Sequence, residues 1–141
     1  MDIVITGGKN EKEFIDLLNI QNDRVHNLCG ITTLPNLYEV MKNSECVIAN
    51  DSGSVHVAGV SCKRVIALHG PTPFEETGPY GNSMNEIIEA NLKMPCSPCY
   101  NTSRITLCPE NKCMIDLSPD RILAYILCLL YTSPSPRDLR A

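Results

Sequence analysis

The chain has 141 residues, enough for about one domain. Its formal net charge of -4 and pI near 5.3 argue against a nucleic-acid footprint, which needs a basic face. With 43% hydrophobic and 20% charged residues it is globular, and with no Trp and 5% aromatics its core must be mainly aliphatic.

In chain order, Ile3-Val4-Ile5 reads as a short buried strand, and Gly7-Gly8 ends it with the backbone freedom of a tight turn. Asn10 is placed to cap a helix with Phe14, Ile15, Leu17 and Leu18 on one face. Residues 25–28 form a second strand, ended by Gly30. Thr33 or Pro35 opens a helix with apolar positions at Leu34, Leu37, Tyr38 and Met41. Residues 46–49 are a third strand, 50–53 a turn, and 54–59 the start of another helix. Residues 65–68 are a fourth strand, followed by a long Gly/Pro loop to Gly81. Ile87-Ile88 is a short last strand. Ser118-Pro119 caps and opens a terminal helix carrying Ile122, Leu123, Tyr125 and Ile126. Strands alternating with helices predict βαβ units in an α/β fold, with a Rossmann-like parallel sheet, flanking helices and right-handed crossovers. Four or five such strands make half of a doubly wound domain.

The longest apolar run, 126–130, is too short to span a bilayer, and an acid at Asp2 with no basic stretch gives no signal peptide. The chain is therefore expected in the cytoplasm, where its eight Cys would stay reduced. Residues 128–138, C-L-L-Y-T-S-P-S-P-R-D, read as the translation of a transposon-type sequencing adapter; a native Pro/Ser-rich tail is the alternative. Ser-Pro-Ser-Pro cannot continue the helix before it. The domain is accordingly expected over 1–127, with 128–141 a non-native tail.

The strongest local signal is C-V-I-A-N-D-S-G-S-V-H-V-A over 46–58, where a strand ends, a polar loop turns and a helix begins. Free amides at the helix start, the helix dipole and the hydroxyls of Ser52 and Ser54 point at one spot, and Gly53 admits a ligand close to the backbone. That suits a diphosphate beyond the strand ends. The competing reading is that Asp51 and Ser52 only cap the helix. Asp51 would repel an anion, so its expected task is to orient the loop by accepting backbone amides. H-G-P-T-P-F-E-E-T-G-P-Y-G over 69–81 follows the next strand and lies on the same sheet edge; a plain connection is its alternative. Cys96, Cys99, Cys108 and Cys113 have a C-x2-C start and a looser x4 second pair, which leaves structural zinc or a set of reduced thiols open. Cys29, Cys46 and Cys62 read as small hydrophobes.

The order N-D-S-G-S-x-H-x-A-G-x-x-x-x-R-V-I-A-L-H-G-P-T, then G-P-Y-G, C-S-P-C and C-M, resembles glycosyltransferase family 9, best known for ADP-heptose:lipopolysaccharide heptosyltransferases. The likeness spans about residues 3–127. It implies the C-terminal, donor-binding half of a GT-B fold. By resemblance, Asp51-Ser52-Gly53 holds the donor diphosphate, and His56 either contacts ligand or bonds the loop. Gly8 and Glu11 meet the ribose, although Glu11 is equally a first-turn acid suited to the dipole. Thr32 lies by the adenine, and Gly70-Pro71-Thr72 closes over the donor. Ser54 stands where the family usually has Pro. The family's catalytic acid and a basic phosphate-binding segment fall outside these 141 residues, so no catalytic residue is assigned and the chain alone should not transfer sugar.

The implied partners are a nucleotide-diphospho-sugar, ADP-heptose above all, and a lipopolysaccharide core acceptor reached through the absent domain. Peripheral contact with the cytoplasmic face of the inner membrane would follow in the full enzyme; nucleic acid is not a partner. No D-x-D motif is present, in line with inverting, metal-independent transfer and no cofactor. Another GT-B enzyme, such as a nucleotide-sugar epimerase, and a non-catalytic zinc-binding module remain as alternatives.

Overall fold

A computed structural model describes residues 1–81, 85–89 and 94–132, with only the backbone described over 85–89 and 129–132. The β-branched run at the start forms β1 (Ile3–Ile5), which leads through α1 (Lys9–Leu17) to β2 (Val25–Asn27). The strands pair in parallel, Ile3 opposite Val25 and Ile5 opposite Asn27. Gly8, not Asn10, is the N-cap of α1: the Glu11 carboxylate reaches back and accepts the Gly8 amide, satisfying one orphan donor of the first turn. Gly7 and Gly8 do not take positive φ; the need for glycine at Gly7 is packing. A Cβ there would stand 2.9 Å from Glu11 Oε2 and 3.1 Å from Cys29 Sγ. Gly30, after β2, does sit at φ +76, where L side chains are strained.

β1 is not the buried strand that its sequence suggests. Ile3 and Val4 are exposed, as are Phe14 and Leu17 on α1, Leu17 at 82%. The physical reason is the pairing: among the described residues β1 and β2 pair only with each other, so both edges of this sheet and the outer face of α1 stay open.

The second βαβ series is α2 (Leu34–Lys42), β3 (Val47–Asn50), α3 (Gly53–Ser61), β4 (Val65–His69), α4 (Phe74–Thr77) and β5 (Asn85–Glu89). Thr33 caps α2, its hydroxyl accepting from the Asn36 amide at 3.4 Å. The three strands form a parallel sheet in the order β3-β4-β5. One continuous sheet was the expectation from sequence; two are found. α2 commits its apolar side, Leu37 and Met41, to α3 and β3, and β1–β2 pair by themselves.

β4 is the central strand, and its alternation decides the core. Val65 and Ala67 face Met41, Val55, Ala58 and Cys62 under α2 and α3. Ile66 and Leu68 face the opposite layer. That layer is made by α6 (Lys112–Ile115) and α7 (Pro119–Thr132), after the short α5 (Ser103–Leu107). Cys113, Leu117, Ile122 and Ile126 supply its contacts. α4 interrupts what reads in sequence as a plain Gly/Pro loop. Thr77 bonds back to the Pro73 carbonyl at 3.1 Å, and Glu75 and Glu76 sit where the dipole favours acids.

Ser118 opens α7 as expected, its hydroxyl accepting from the Arg121 amide at 3.4 Å. The helix passes residues 127 and 128 without a break and reaches Thr132, one residue before Ser133-Pro134. The Pro/Ser part of the tail, 133–141, lies outside the described residues. Ile126 packs on the second core layer, whereas Leu127 and Cys128 are exposed. Deletion of residues 128–141 is therefore expected to leave stability within about 0.5 kcal/mol, the range of a neutral surface change. Thermal melting checks this, and a loss of several degrees would mean that the tail packs. Among the described residues no helix is long and apolar enough to cross a membrane.

Candidate functional site

The carboxyl ends of β3 and β4 carry the site. The Asp51 amide donates to the Leu68 carbonyl at 3.1 Å, tying the β3–α3 turn to the end of β4. Ser52 is the N-cap of α3, in extended conformation, yet its side chain makes no cap bond. Its hydroxyl instead pairs with that of Ser54 at 2.8 Å. The amides of Ser52, Gly53 and Ser54 have no protein acceptor among the described residues. A Cβ built on Gly53 meets nothing within 4 Å. Three free donors at the positive end of a nine-residue helix thus face open space, an arrangement that favours an anion.

Among the described residues Asp51 accepts no backbone amide, contrary to what its sequence position suggests. Its Oδ2 accepts the Thr77 hydroxyl at 3.0 Å and lies 3.7 Å from Nδ1 of His69. The reason is the fold of the second loop, because α4 swings Thr77 back over the turn. His69 itself lies within 3.4 Å of the Thr72 hydroxyl. Sequence reasoning passed over both His69 and Thr77. The signal was present: in V-I-A-L-H the alternation that buries Val65 and Ala67 also buries the polar residue at the strand's carboxyl end.

The other candidates divide. His56 is exposed on α3 with no hydrogen bond to the loop. Gly70 is buried, and a Cβ there would come within 2.5 Å of Met114 Sδ, so its close approach is to α6 and not to a ligand. Pro71 accepts the amides of Cys99 and Tyr100, both at 2.9 Å, and Gly70 accepts the Ser97 hydroxyl at 2.9 Å. The Cys-rich stretch therefore braces the 70–72 loop. Gly8, Glu11 and Thr32 lie on or beside the β1–β2 unit and make no hydrogen bond to the Asp51 turn.

The four clustered thiols do not converge. Cys99 and Cys113 are buried and Cys96 and Cys108 exposed, and among the described residues no three His, Cys, Asp or Glu side chains form a metal-holding group. Burial pushes the Cys113 thiol up from its ordinary range, and the neighbouring Cys99 and Cys108 add to the effect. Burial does the same at Cys29 and Cys46, in keeping with their reading as small hydrophobes. Since the thiolate is the nucleophile, iodoacetamide at neutral pH should modify Cys96 and Cys108 well before Cys113 and Cys29. Mass mapping of the alkylated protein checks the order, and early loss of Cys113 would contradict its burial.

Parallel βαβ units, helices on both faces of β4 and an amide-lined turn at the strand ends define a Rossmann-like α/β domain. The family model for glycosyltransferase family 9 (heptosyltransferase) matches residues 1–107, and the chain belongs to that family. Lipooligosaccharide heptosyltransferase 2 of Campylobacter jejuni subsp. jejuni serotype O:2 is 34% identical over 139 residues, covering 94% of this chain and 42% of the relative. The Haemophilus influenzae lipooligosaccharide heptosyltransferase 2 is 33% identical over 90 residues, 60% of this chain and 26% of that protein. Among solved structures, the family 9 glycosyl transferase of Veillonella parvula superposes with a TM-score of 0.76 at 22% identity, over 94% of this chain and 37% of the other. The E. coli ADP-heptose lps heptosyltransferase II gives 0.68 at 22% identity, over 92% and 36%. These likenesses establish the fold as one half of a GT-B architecture. The chain spans less than half the length of the relatives that it matches. Family membership leaves both the epimerase reading and the zinc-module reading unsupported.

Proposed function

We propose that this chain is the donor-binding half of a heptosyltransferase, which moves a heptose from a nucleotide-diphospho-sugar of the ADP-heptose type to the core of lipopolysaccharide. The observation that carries this reading is the set of free amides at Ser52, Gly53 and Ser54. In such a transfer the acceptor hydroxyl attacks the anomeric carbon. The bond from that carbon to the diphosphate oxygen breaks, and the nucleoside diphosphate leaves with the electron pair. Charge grows on the leaving oxygens, where fixed amide dipoles stabilise it without having to reorganise. The Ser52 and Ser54 hydroxyls add donors on the same side.

One oxygen of Glu11 holds the Gly8 amide, and its other oxygen is left to accept from ribose hydroxyls. Thr32 would lie by the adenine, His56 against the ligand, and the Thr72 loop above the donor. The carboxylate that acts as base and takes the acceptor hydroxyl's proton would come from a part of the longer protein outside these residues, since the relatives are more than twice as long. The reaction would take place at the cytoplasmic face of the inner membrane, with peripheral membrane contact in the full enzyme.

Titration calorimetry tests the donor site directly. ADP is expected to bind the protein measurably and adenosine far more weakly, because amides and dipole act on the anion and not on the base. Equal affinity for the two, or no binding of ADP, would overturn the reading.

A further inference from the structure

We propose that His69 is a positioning residue: together with Asp51 and Thr77 it latches the β4–α4 loop onto the β3–α3 turn, so that both segments meet a ligand as one preformed surface. The ligand part of this inference rests on the donor reading above; the latch itself does not.

The alternation of β4 places His69 on the face of Val65 and Ala67, beneath α3. It is the buried polar residue of the described core, with its side chain fully covered. Two groups meet Asp51 and a third stands behind them: its Oδ2 accepts the Thr77 hydroxyl at 3.0 Å and stands 3.7 Å from His69 Nδ1, while Thr72 lies 3.4 Å from that same nitrogen. These groups come from the end of β4, the loop after it and α4. The Asp51 backbone is in turn bonded to Leu68, next to His69. Fixing Asp51 fixes the peptide that follows it, and with it the direction of the Ser52, Gly53 and Ser54 amides.

The imidazole gives the second half of the argument. A carboxylate only accepts, so the tautomer that suits Asp51 carries its proton on Nδ1. Nε2 is then left as a lone-pair acceptor, buried and with no partner among the described residues. An unpartnered buried nitrogen destabilises the fold. An apolar side chain would fill the place without that loss, as Val65 and Ala67 do on the same face. What the imidazole supplies and an aliphatic residue cannot is a polar N–H beside the Asp51 carboxylate, 3.7 Å away and so an electrostatic contact, not a hydrogen bond. Engaging the carboxylate with donors also draws its negative charge inward, away from the amides that would hold an anion.

Two measurements on the ligand-free protein decide the latch. The chain has three His, so nitrogen NMR resolves them, and His69 is expected as the Nδ1–H tautomer. In Asp51→Ala, which removes the acceptor, the amides of Thr77 and Gly78, bonded to Pro73 and Phe74, should exchange with solvent about tenfold faster, while the Cys62 amide at the far end of α3 keeps its rate. Such a response 26 residues away in sequence is not what a local change in the turn gives. Thr77→Val should reproduce it, and it keeps the test open if His69→Gln fails to fold.

In the ligand arm, ADP affinity should fall about fivefold to tenfold in Thr77→Val and His69→Gln. In an Asp51→Ala background Thr77→Val should add almost nothing, because both act through one carboxylate. An Nε2–H tautomer, or unchanged exchange at Thr77 and Gly78 in Asp51→Ala, overturns the latch. Additive losses of ADP affinity overturn its action through Asp51. Failure of the wild type to bind ADP counts against the donor reading instead, and the tautomer and exchange results still decide the latch.

Discussion

Gly53→Val is expected to weaken ADP binding by roughly tenfold to a hundredfold while the melting temperature of the free protein stays nearly constant. Two observations separate the effects. Gly53 is the first residue of α3, its φ is not positive, and a Cβ there meets nothing within 4 Å. The fold therefore accepts the side chain, at about the few tenths of a kcal/mol that a β-branched residue costs in a helix. The open space it enters is the space that the free amides face. A hydrogen bond to a charged group is worth roughly 1.5–3 kcal/mol, and each 1.4 kcal/mol is tenfold in affinity, so excluding one phosphate oxygen accounts for the loss. Ser52→Ala should act in the same direction and less strongly, because the Ser54 hydroxyl, its partner at 2.8 Å, stays in place. Calorimetry with ADP together with thermal melting checks both variants. Unchanged affinity in Gly53→Val would place the nucleotide elsewhere.

The contrast between Gly53 and Gly70 marks what sequence could deliver. Both stand in motifs that suggest backbone open to a ligand, but only Gly53 faces open space; Gly70 is pressed against Met114 and Cys113. Nothing local distinguishes them, because the atoms against Gly70 come from more than forty residues later in the chain. The same limit explains the sheet. The β-branched runs at β1, β3 and β4 were legible from composition and period, and their parallel pairing followed from the alternation with helices. Whether β1 lies beside β3 is a question of tertiary partners, and here it pairs with β2 alone. The burial of Ile3 and Val4 was therefore misjudged, although the strand itself was read correctly. At the site, Asp51, Ser52, Gly53 and Ser54 were legible because strand, turn and helix are contiguous. Thr77 was not, because its role depends on α4 returning the chain to Asp51.

Ile66→Ala should be the most damaging single substitution among the apolar positions of β4, at about 2–5 kcal/mol, a large share of the 5–15 kcal/mol that holds a domain together. Ile66 is 0% exposed and packs with Cys113, Leu117, Met114, Ile122 and Ile126. Removing three carbons there loses their transfer energy and leaves a cavity walled by both the sheet and the α6–α7 layer. Ile48 provides a matched control. It lies directly opposite Ile66 in the parallel register of β3 and β4, and so points to the same face of the sheet. Yet Ile48 is 46% exposed, because α6 and α7 cover β4 and stop short of β3. Ile48→Ala then loses only part of its transfer energy and opens no closed cavity, so its expected cost is about 1 kcal/mol. Urea denaturation of the two variants, with equal slopes, compares them on one scale. Equal losses at Ile48 and Ile66 would mean that the helices after the Cys-rich stretch do not pack on β4. The bracing of the Gly70-Pro71 loop by Ser97, Cys99 and Tyr100 would then lose its support, since that stretch reaches the sheet through the same layer.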